Sequence, residues 1–316
     1  MRLLAIILNY KTADMTADAV RAALRELRRF GDGGWELLVV DNDSQDGSFE
    51  SLSARCEEED WGPRVRVVRS PKNGGFGFGN NVGLRDGLGR EHPPEYFYIL
   101  NSDAFVDEGA IEALVTYLDE HPWVGITGSY IHGPEGDPHV TAFRFPSLQS
   151  EIESTVRIGA LTSVFQDAVV PLGQIDRTQK VDWLAGASMM IRADVLREVG
   201  LFDETFFLYF EETDLCRRAA LAGWPTVYVR ESSVTHIGSV STGMKDQTRR
   251  RPQYWFDSRR HYFRKNHGSR YLWATNAAQI MGFGAFRVRQ LLTGTESDDP
   301  PKYLRDFLKH TFSRNS

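Results

Sequence analysis

The chain has 316 residues, 41% hydrophobic and 25% charged, enough for one large domain or for one domain with an appended segment. A net charge of -6 argues against nucleic acid as the main partner. Two cysteines, Cys56 and Cys216, exclude a disulfide framework and suit a reducing cytoplasm, and no apolar run reaches the roughly 18 residues of a membrane span.

Residues 2–8 read as a first buried strand, too short and without the cleavage site of a signal peptide. The polar turn Asn9-Tyr10-Lys11-Thr12 follows, then a helix to residue 29 with Ala19, Val20, Ala23, Leu24 and Leu27 at helical spacing. Strand two, residues 35–40, delivers Asp41-Asn42-Asp43-Ser44 at its carboxyl end. A helix over 48–58 and a strand over 64–69 come next. A glycine-rich run from Asn73 to Gly83 then precedes the uncharged strand 96–100, which ends in Asn101-Ser102-Asp103. A helix is expected after Val106, with Asp107 and Glu108 in its first turn, and a strand over 124–127. Strands alternating with helices predict an α/β fold with a mostly parallel sheet.

Residues 129–180 carry few signals beyond a turn-rich loop at 132–138 and an expected helix over 152–165. Residues 181–191 read as one strand with small residues at its centre. The aromatic run 206–210 leads into Glu211-Glu212-Thr213-Asp214, which heads a helix to residue 221, and short strands are expected at 227–229 and 233–236. From 245 to 270, nine Lys or Arg stand against two Asp, interleaved with five aromatics, and an apolar stretch follows. Such a tail can lie on an anionic membrane surface through residues 245–290, or form a pair of packing helices with a solvated basic face.

The carboxyl ends of parallel strands build the ligand site of an α/β sheet. Asn9-Tyr10, Asp41 to Ser44, Asn73 to Asn81 and Asn101 to Asp103 all fall at or near that edge. Asp103 can hold a hard divalent cation and through it a diphosphate, or it can be a turn residue. Asp41 can accept from a base, or it or Ser44 can cap a helix. The glycine-rich run can bring backbone amides to a phosphate or ribose, or be a simple loop; it matches neither a Walker loop nor the dinucleotide fingerprint. Glu211, Glu212 and Asp214 can complement a helix dipole, or supply a buried general base. His236 is either structural or a nitrogen donor to a cation at Asp103.

Taken in this order over residues 1–240, these pieces resemble the inverting family-2 glycosyltransferases, in the rhamnosyltransferase-like branch. The resemblance implies a GT-A fold, the Rossmann-like, mostly parallel fold of nucleotide-diphospho-sugar transferases, with a nucleotide half over 1–128, an acceptor half over 129–240 and a helical extension over 241–316. It implies that Asn9, Tyr10, Asp41, Asn73, Gly74, Phe76, Asn80, Asn101 and Ser102 serve the nucleotide. Asp103 and His236 would hold Mg2+ or Mn2+, with Asn101 standing where the family's metal motif has its first acid. Glu212, with Glu211 second, would be the catalytic base. Trp183, Gly186, Ala187 and Asp214 would stand on the acceptor side. The implied reaction moves rhamnose from dTDP-rhamnose, or another sugar from a UDP donor, to a cell-surface glycan or lipid-linked acceptor, with inversion. The implied location is cytoplasmic, peripheral at the inner membrane face. A non-catalytic nucleotide-sugar binder and a nucleotidyltransferase are the rivals. The intact acids speak against the first, and the glycine-poor N-terminal turn against the second.

Overall fold

Strand β1 (Leu3–Asn9) turns Leu3, Ala5 and Ile7 to one face and Leu4 and Ile6 to the other, and all five are fully buried. A strand buried on both faces needs cover on both. Helices α1 (Ala13–Leu27), α2 (Ser48–Glu58) and α4 (Ala110–Glu120) contribute to the core on the first face. Helices α3 (Phe76–Leu88), α6 (Ala193–Val199) and α7 (Glu211–Leu221) contribute to the core on the second. The computed structural model describes residues 1–31, 34–156, 165–238, 249–294 and 299–313.

The main sheet is parallel through β3 (Val65–Arg69), β2 (Trp35–Asp41), β1 and β4 (Tyr96–Asn101). Beyond β4 it becomes mixed. Strand β10 (Ser188–Arg192) enters antiparallel between β4 and β6 (Ile126–His132), and β11 (Thr226–His236) lies parallel to β6. The far edge is β5 (Ala104–Val106), and β8 (Gln179–Val181) also pairs with β11. The chain therefore leaves β4 in the middle of the sheet and reappears three residues later at its edge. Ser102 and Asp103 span that jump.

Several sequence expectations are corrected. The glycine-rich run is helical from Phe76 onward. Gly79, Gly83 and Gly87, one turn apart, lie so close to the sheet that a Cβ would come within 2.4 Å of Leu8, 2.8 Å of Ile6 and 2.4 Å of Phe97. These glycines set the spacing between helix and sheet, while Asn73, Gly74 and Gly75 form the loop before the helix. Residues 181–191 are not one strand: β8, β9 (Trp183–Leu184) and β10 are separate, and β9 pairs with β7 (Ala142–Phe143) in a second small sheet. Asp107 is not in a first helical turn. It follows β5, accepts from Ser233 Oγ at 2.6 Å and pairs with His132 at 3.0 Å. The helix expected over 152–165 begins earlier, as α5 (Leu148–Val156), and its remainder from 157 to 164 lies outside the described residues.

The basic aromatic tail also reads differently in three dimensions. In α8 (Gln253–His267), Phe256, Tyr262 and Phe263 are buried against the rest of the chain. Arg259, 3% exposed, reaches Glu151 on α5 at 2.5 Å and Asn276 on α9 (Ser269–Thr293) at 2.8 Å. Helix α10 (Tyr303–Phe312) closes that cluster with Tyr303 and Phe307. The aromatics of α8 are thus core residues, because they have protein surface to cover. Most exposed large apolar residues described in this extension lie instead on α9, at Trp273, Met281, Val288, Leu291 and Leu292, with Phe312 on α10. Among the described residues, no helix is long and apolar enough to cross a membrane.

Asp214 ties this extension to the core. Its carboxylate is fully buried and accepts from Arg218 and Lys265, each at 2.8 Å, and from Asn266 at 3.1 Å. Removing one member of a buried charge cluster leaves the others uncompensated. Asp214→Ala is therefore expected to cost roughly 3–5 kcal/mol in urea unfolding. Lys265→Met, whose side chain is partly exposed, should cost much less.

Candidate active site

A cleft of about 590 Å3 opens at the carboxyl end of β4. Phe76, Asn101, Asp103, Gly186, Ala187, Glu211, Glu212 and His236 all line it. The antiparallel pairing of β5 with β11 sets His236 opposite Ala104, so its Nε2 lies 3.1 Å from Asp103 Oδ1. The Ile237 amide donates to the Asp103 carbonyl at 3.1 Å and fixes that corner. Ala187 is held against β4 because the Asn101 amide donates to its carbonyl at 3.0 Å.

The opposite side of the cleft carries the two glutamates, at the start of α7. Tyr209 and Phe210, immediately before them, both adopt φ near 70°. A non-glycine residue in that region costs of order 1–3 kcal/mol and persists only when its surroundings hold it. Here they do. The Phe207 carbonyl accepts from the Phe76 amide at 3.0 Å, and the Leu208 carbonyl accepts from Ser258 Oγ on α8 at 3.0 Å. Tyr254 of α8 packs on Phe207 and Tyr209, while Tyr262 packs on Phe210. Gly75, at φ +90°, lets the loop approach α3: a Cβ there would fall 1.7 Å from the Phe207 carbonyl oxygen.

Burial raises the carboxyls of both glutamates, and Glu211 rises further because the charge of Glu212 is beside it. Glu211 is 1% exposed, whereas Glu212 is only partly buried. One oxygen of each, Oε2, has no hydrogen-bond partner among the described residues. Both carboxyls line the cleft, and the shift is the larger at Glu211.

The other predicted residues lie outside this cleft. Asn9 donates to Asp41 Oδ1 at 2.7 Å and accepts from Thr16 at 2.8 Å. Asp41, 1% exposed, also accepts the Ser44 hydroxyl at 2.6 Å and the Ser44 amide at 3.1 Å. Ser102 joins the same network through Thr12 at 3.1 Å. Neither Asp41 nor Ser44 caps α2; Asp46 accepts from the Ser48 amide at its start. Tyr10 is half-buried beside Lys11. Asn73 accepts from Asn42 and from the Gly75 amide, Gly74 packs under Phe78, and Asn80 is fully buried with its amide on the Phe76 carbonyl. These three shape the turn into α3. Trp183 stacks on Phe143 at 4.2 Å and donates to the Arg144 carbonyl, and Asp214 is occupied as described above, so neither faces the cleft.

Sequence reading missed the wall formed by Pro138, His139, Val140 and Thr141. Its only signal was a second histidine after a turn-rich loop.

Asp103 and His236 present a carboxylate oxygen and an imidazole nitrogen to the same space, which suits one divalent cation whose other positions are filled by phosphate oxygens. Among the described residues, no third His, Cys, Asp or Glu joins them. Asn101, beside them in the cleft lining, adds a neutral oxygen at most.

Comparison with known proteins gives consistent likenesses. The sequence profile described as Glycosyl transferase family 2 matches residues 5–199. The chain is 29% identical over 219 residues to N-acetylglucosaminyl-diphospho-decaprenol L-rhamnosyltransferase of Mycobacterium tuberculosis, covering 66% of this chain and 68% of that protein. It is 27% identical over 165 residues to rhamnosyltransferase WbbL of Escherichia coli, covering 51% of this chain and 60% of that protein. Among solved structures, mannosyltransferase PcManGT from Pyrobaculum calidifontis, in complex with GDP-Man and Mn2+, aligns with a TM-score of 0.63 at 13% identity, over 99% of this chain and 88% of that one. GalNAc-T7 with UDP, GalNAc and Mn2+ aligns with a TM-score of 0.61 at 13% identity, over 98% of this chain and 55% of that one. At that identity the structural likeness is one of fold.

A carboxyl whose folded pKa is raised favours the folded state below the ordinary carboxylate range, and that stability is lost as pH rises through the raised value. Glu211→Gln should therefore stabilise the protein by about 1 kcal/mol or more at pH 8, with the gain shrinking toward pH 4. Thermal unfolding at both pH values measures this.

Proposed function

The chain belongs to glycosyl transferase family 2, with the GT-A fold, and on that premise we propose that it moves rhamnose from dTDP-rhamnose to a hydroxyl of a lipid-linked glycan acceptor, with inversion. That it is a glycosyltransferase follows from the family. The sugar and the acceptor rest on relatives whose names specify rhamnosyl transfer, one of them to a diphospho-decaprenol acceptor. A UDP-sugar donor is the competing outcome of the test below.

The observation that carries the reading is the pair of raised glutamates facing Asp103 and His236 across one cleft. In this reading Glu212 takes the proton of the acceptor hydroxyl as that oxygen attacks the anomeric carbon from the side opposite the diphosphate. Glu211, the more deeply buried of the two and the more strongly raised, stands beside it. Asp103 and His236 would hold Mg2+ or Mn2+, and the imidazole nitrogen favours Mn2+. When bound, that ion would neutralise charge on the leaving diphosphate. The network of Asn9, Asp41 and Ser102, with Tyr10 next to it in the chain, would meet the nucleotide, and Gly186 and Ala187 would face the acceptor. Residues 1–128, 129–240 and 241–316 are then the nucleotide half, the acceptor half and the extension.

Calorimetry with dTDP-rhamnose, UDP-glucose and their diphosphates, with and without Mn2+, tests donor and metal. One pyrimidine donor should bind with metal dependence, and Asp103→Ala should lose that dependence. Glu212→Gln should keep donor binding while turnover falls on the order of 10^2- to 10^4-fold. The product should show the opposite anomeric configuration by NMR. Normal turnover in Glu212→Gln would overturn the assignment of the base.

Action on a lipid-linked acceptor would bring the protein to the inner face of the cytoplasmic membrane. We assign that contact to the outer face of α9, where Trp273, Met281, Val288, Leu291 and Leu292 are exposed beside Arg270 and Arg287. Flotation with anionic liposomes should fall at least severalfold when Leu291 and Leu292 are both changed to Asp. Unchanged flotation would remove this face from the reading.

A further inference from the structure

A second cavity of about 460 Å3 adjoins the cleft. Pro138, His139 and Thr141 line both. Its base is built where β6 and β11 run side by side, from Tyr130 on the first and Tyr228 and Arg230 on the second. Gln174 and Asp176 close the other side.

The pairing of those two strands is irregular at this point. Val229 is opposite Ser129, but the next pair is Ser233 opposite Tyr130. Residues 230–232 are therefore bulged out of register. Bulges beside a site re-aim a side chain. This one is pinned by Thr178, whose hydroxyl accepts from the Arg230 amide at 2.9 Å and donates to the Glu231 carboxylate. Ser232 turns inward and donates to the Ala110 carbonyl at 2.9 Å. Arg230 is left with its guanidinium 4.0 Å over the Tyr130 ring, partly buried, and with no carboxylate paired to it among the described residues. By contrast Arg218, also partly buried, and Arg259, more deeply buried, are each paired to an acid.

A guanidinium stacked on a ring keeps its N–H edge free to fork onto a phosphate. The cavity also lies on the far side of the cleft from the strand ends that carry Asn9 and Asp41, because β6 and β11 follow β4 and β10 in the sheet order. An anion on Arg230 is thus apart from the network of Asn9 and Asp41, and Pro138, His139 and Thr141, which line both cavities, stand between it and the cleft that holds Asp103 and His236. Asp176 and Gln174 suit the hydroxyls of a sugar ring.

We propose that this cavity is the acceptor's subsite for a glycosyl diphosphate, with the phosphate on Arg230 and the sugar between it and the cleft. This rests on the glycosyltransferase reading above and adds the part of the acceptor that the enzyme grips. Arg230 is a binding residue and takes no part in proton transfer.

The test uses the full chain with its donor site filled by whichever of dTDP, UDP or GDP binds best, with Mn2+. Inorganic pyrophosphate is then titrated as the probe. Wild type should bind it saturably. Arg230→Gln should weaken that binding roughly tenfold or more, and Arg230→Lys by less, because it keeps the charge but loses the fork. Affinity for the nucleoside diphosphate and the melting temperature should stay as in wild type for both variants. Pyrophosphate binding that survives Arg230→Gln, or that is absent from wild type, overturns the subsite while leaving glycosyl transfer standing. Failure of all three nucleoside diphosphates to bind wild type overturns both.

Discussion

Two adjacent carboxylates, Glu211 and Glu212, are withdrawn from water at the start of a helix, and much of the surrounding structure exists to hold them there. Desolvation opposes their charge, and each opposes the other's. The helix dipole of α7 offsets part of this cost. The remainder is borne by the packing around residues 206–210. Gly75 lets the loop touch α3, and the aromatics of α8 fill the space above two left-handed residues. The C-terminal extension is therefore part of the site's support. It meets the loop before the glutamates through Tyr254 and Ser258, and it meets the core through Lys265 and Asp214.

The sheet order explains why the cleft has two chemically different sides. The parallel strands β1 and β2 end in a closed polar network in which Asn9 and Asp41 satisfy each other and their neighbours. A fully connected network of this kind is rigid. Past β4 the sheet turns mixed, and the antiparallel strands β10 and β5 return the chain to the cleft from the other direction. Asp103 and His236 meet there because one edge pairing brings them together. The bulge in β11 then turns Arg230 outward a few residues before His236.

Much of the fold was legible because the local signals were strong. The alternation of strand β1, the helix period after Thr12 and the start of α7 at Glu211 all correspond to elements in the structure. The misreadings have physical causes. Glycines at four-residue spacing look like a loop, but they also allow a helix to press against a sheet, and nothing local separates the two. Basic residues mixed with aromatics look like a membrane-facing helix until the surface that buries Phe256, Tyr262 and Phe263 is known. Asp107 looked like a helix start because acids favour that position; strand β5 became visible only once its partner was in place.

By itself the sequence determined the alternation of buried strands and helices, the order of polar segments at the strand ends, and the acidic start of α7, since each depends on neighbours a few residues away. The tertiary structure alone decided which of those segments share a cleft. It separated Asp41, Trp183 and Asp214 from the cleft and added His139 and Thr141 to its wall. It also made the two glutamates unequal, with Glu211 more deeply buried than Glu212. Those outcomes depend on contacts between residues far apart in the chain, and on burial, which no local pattern encodes.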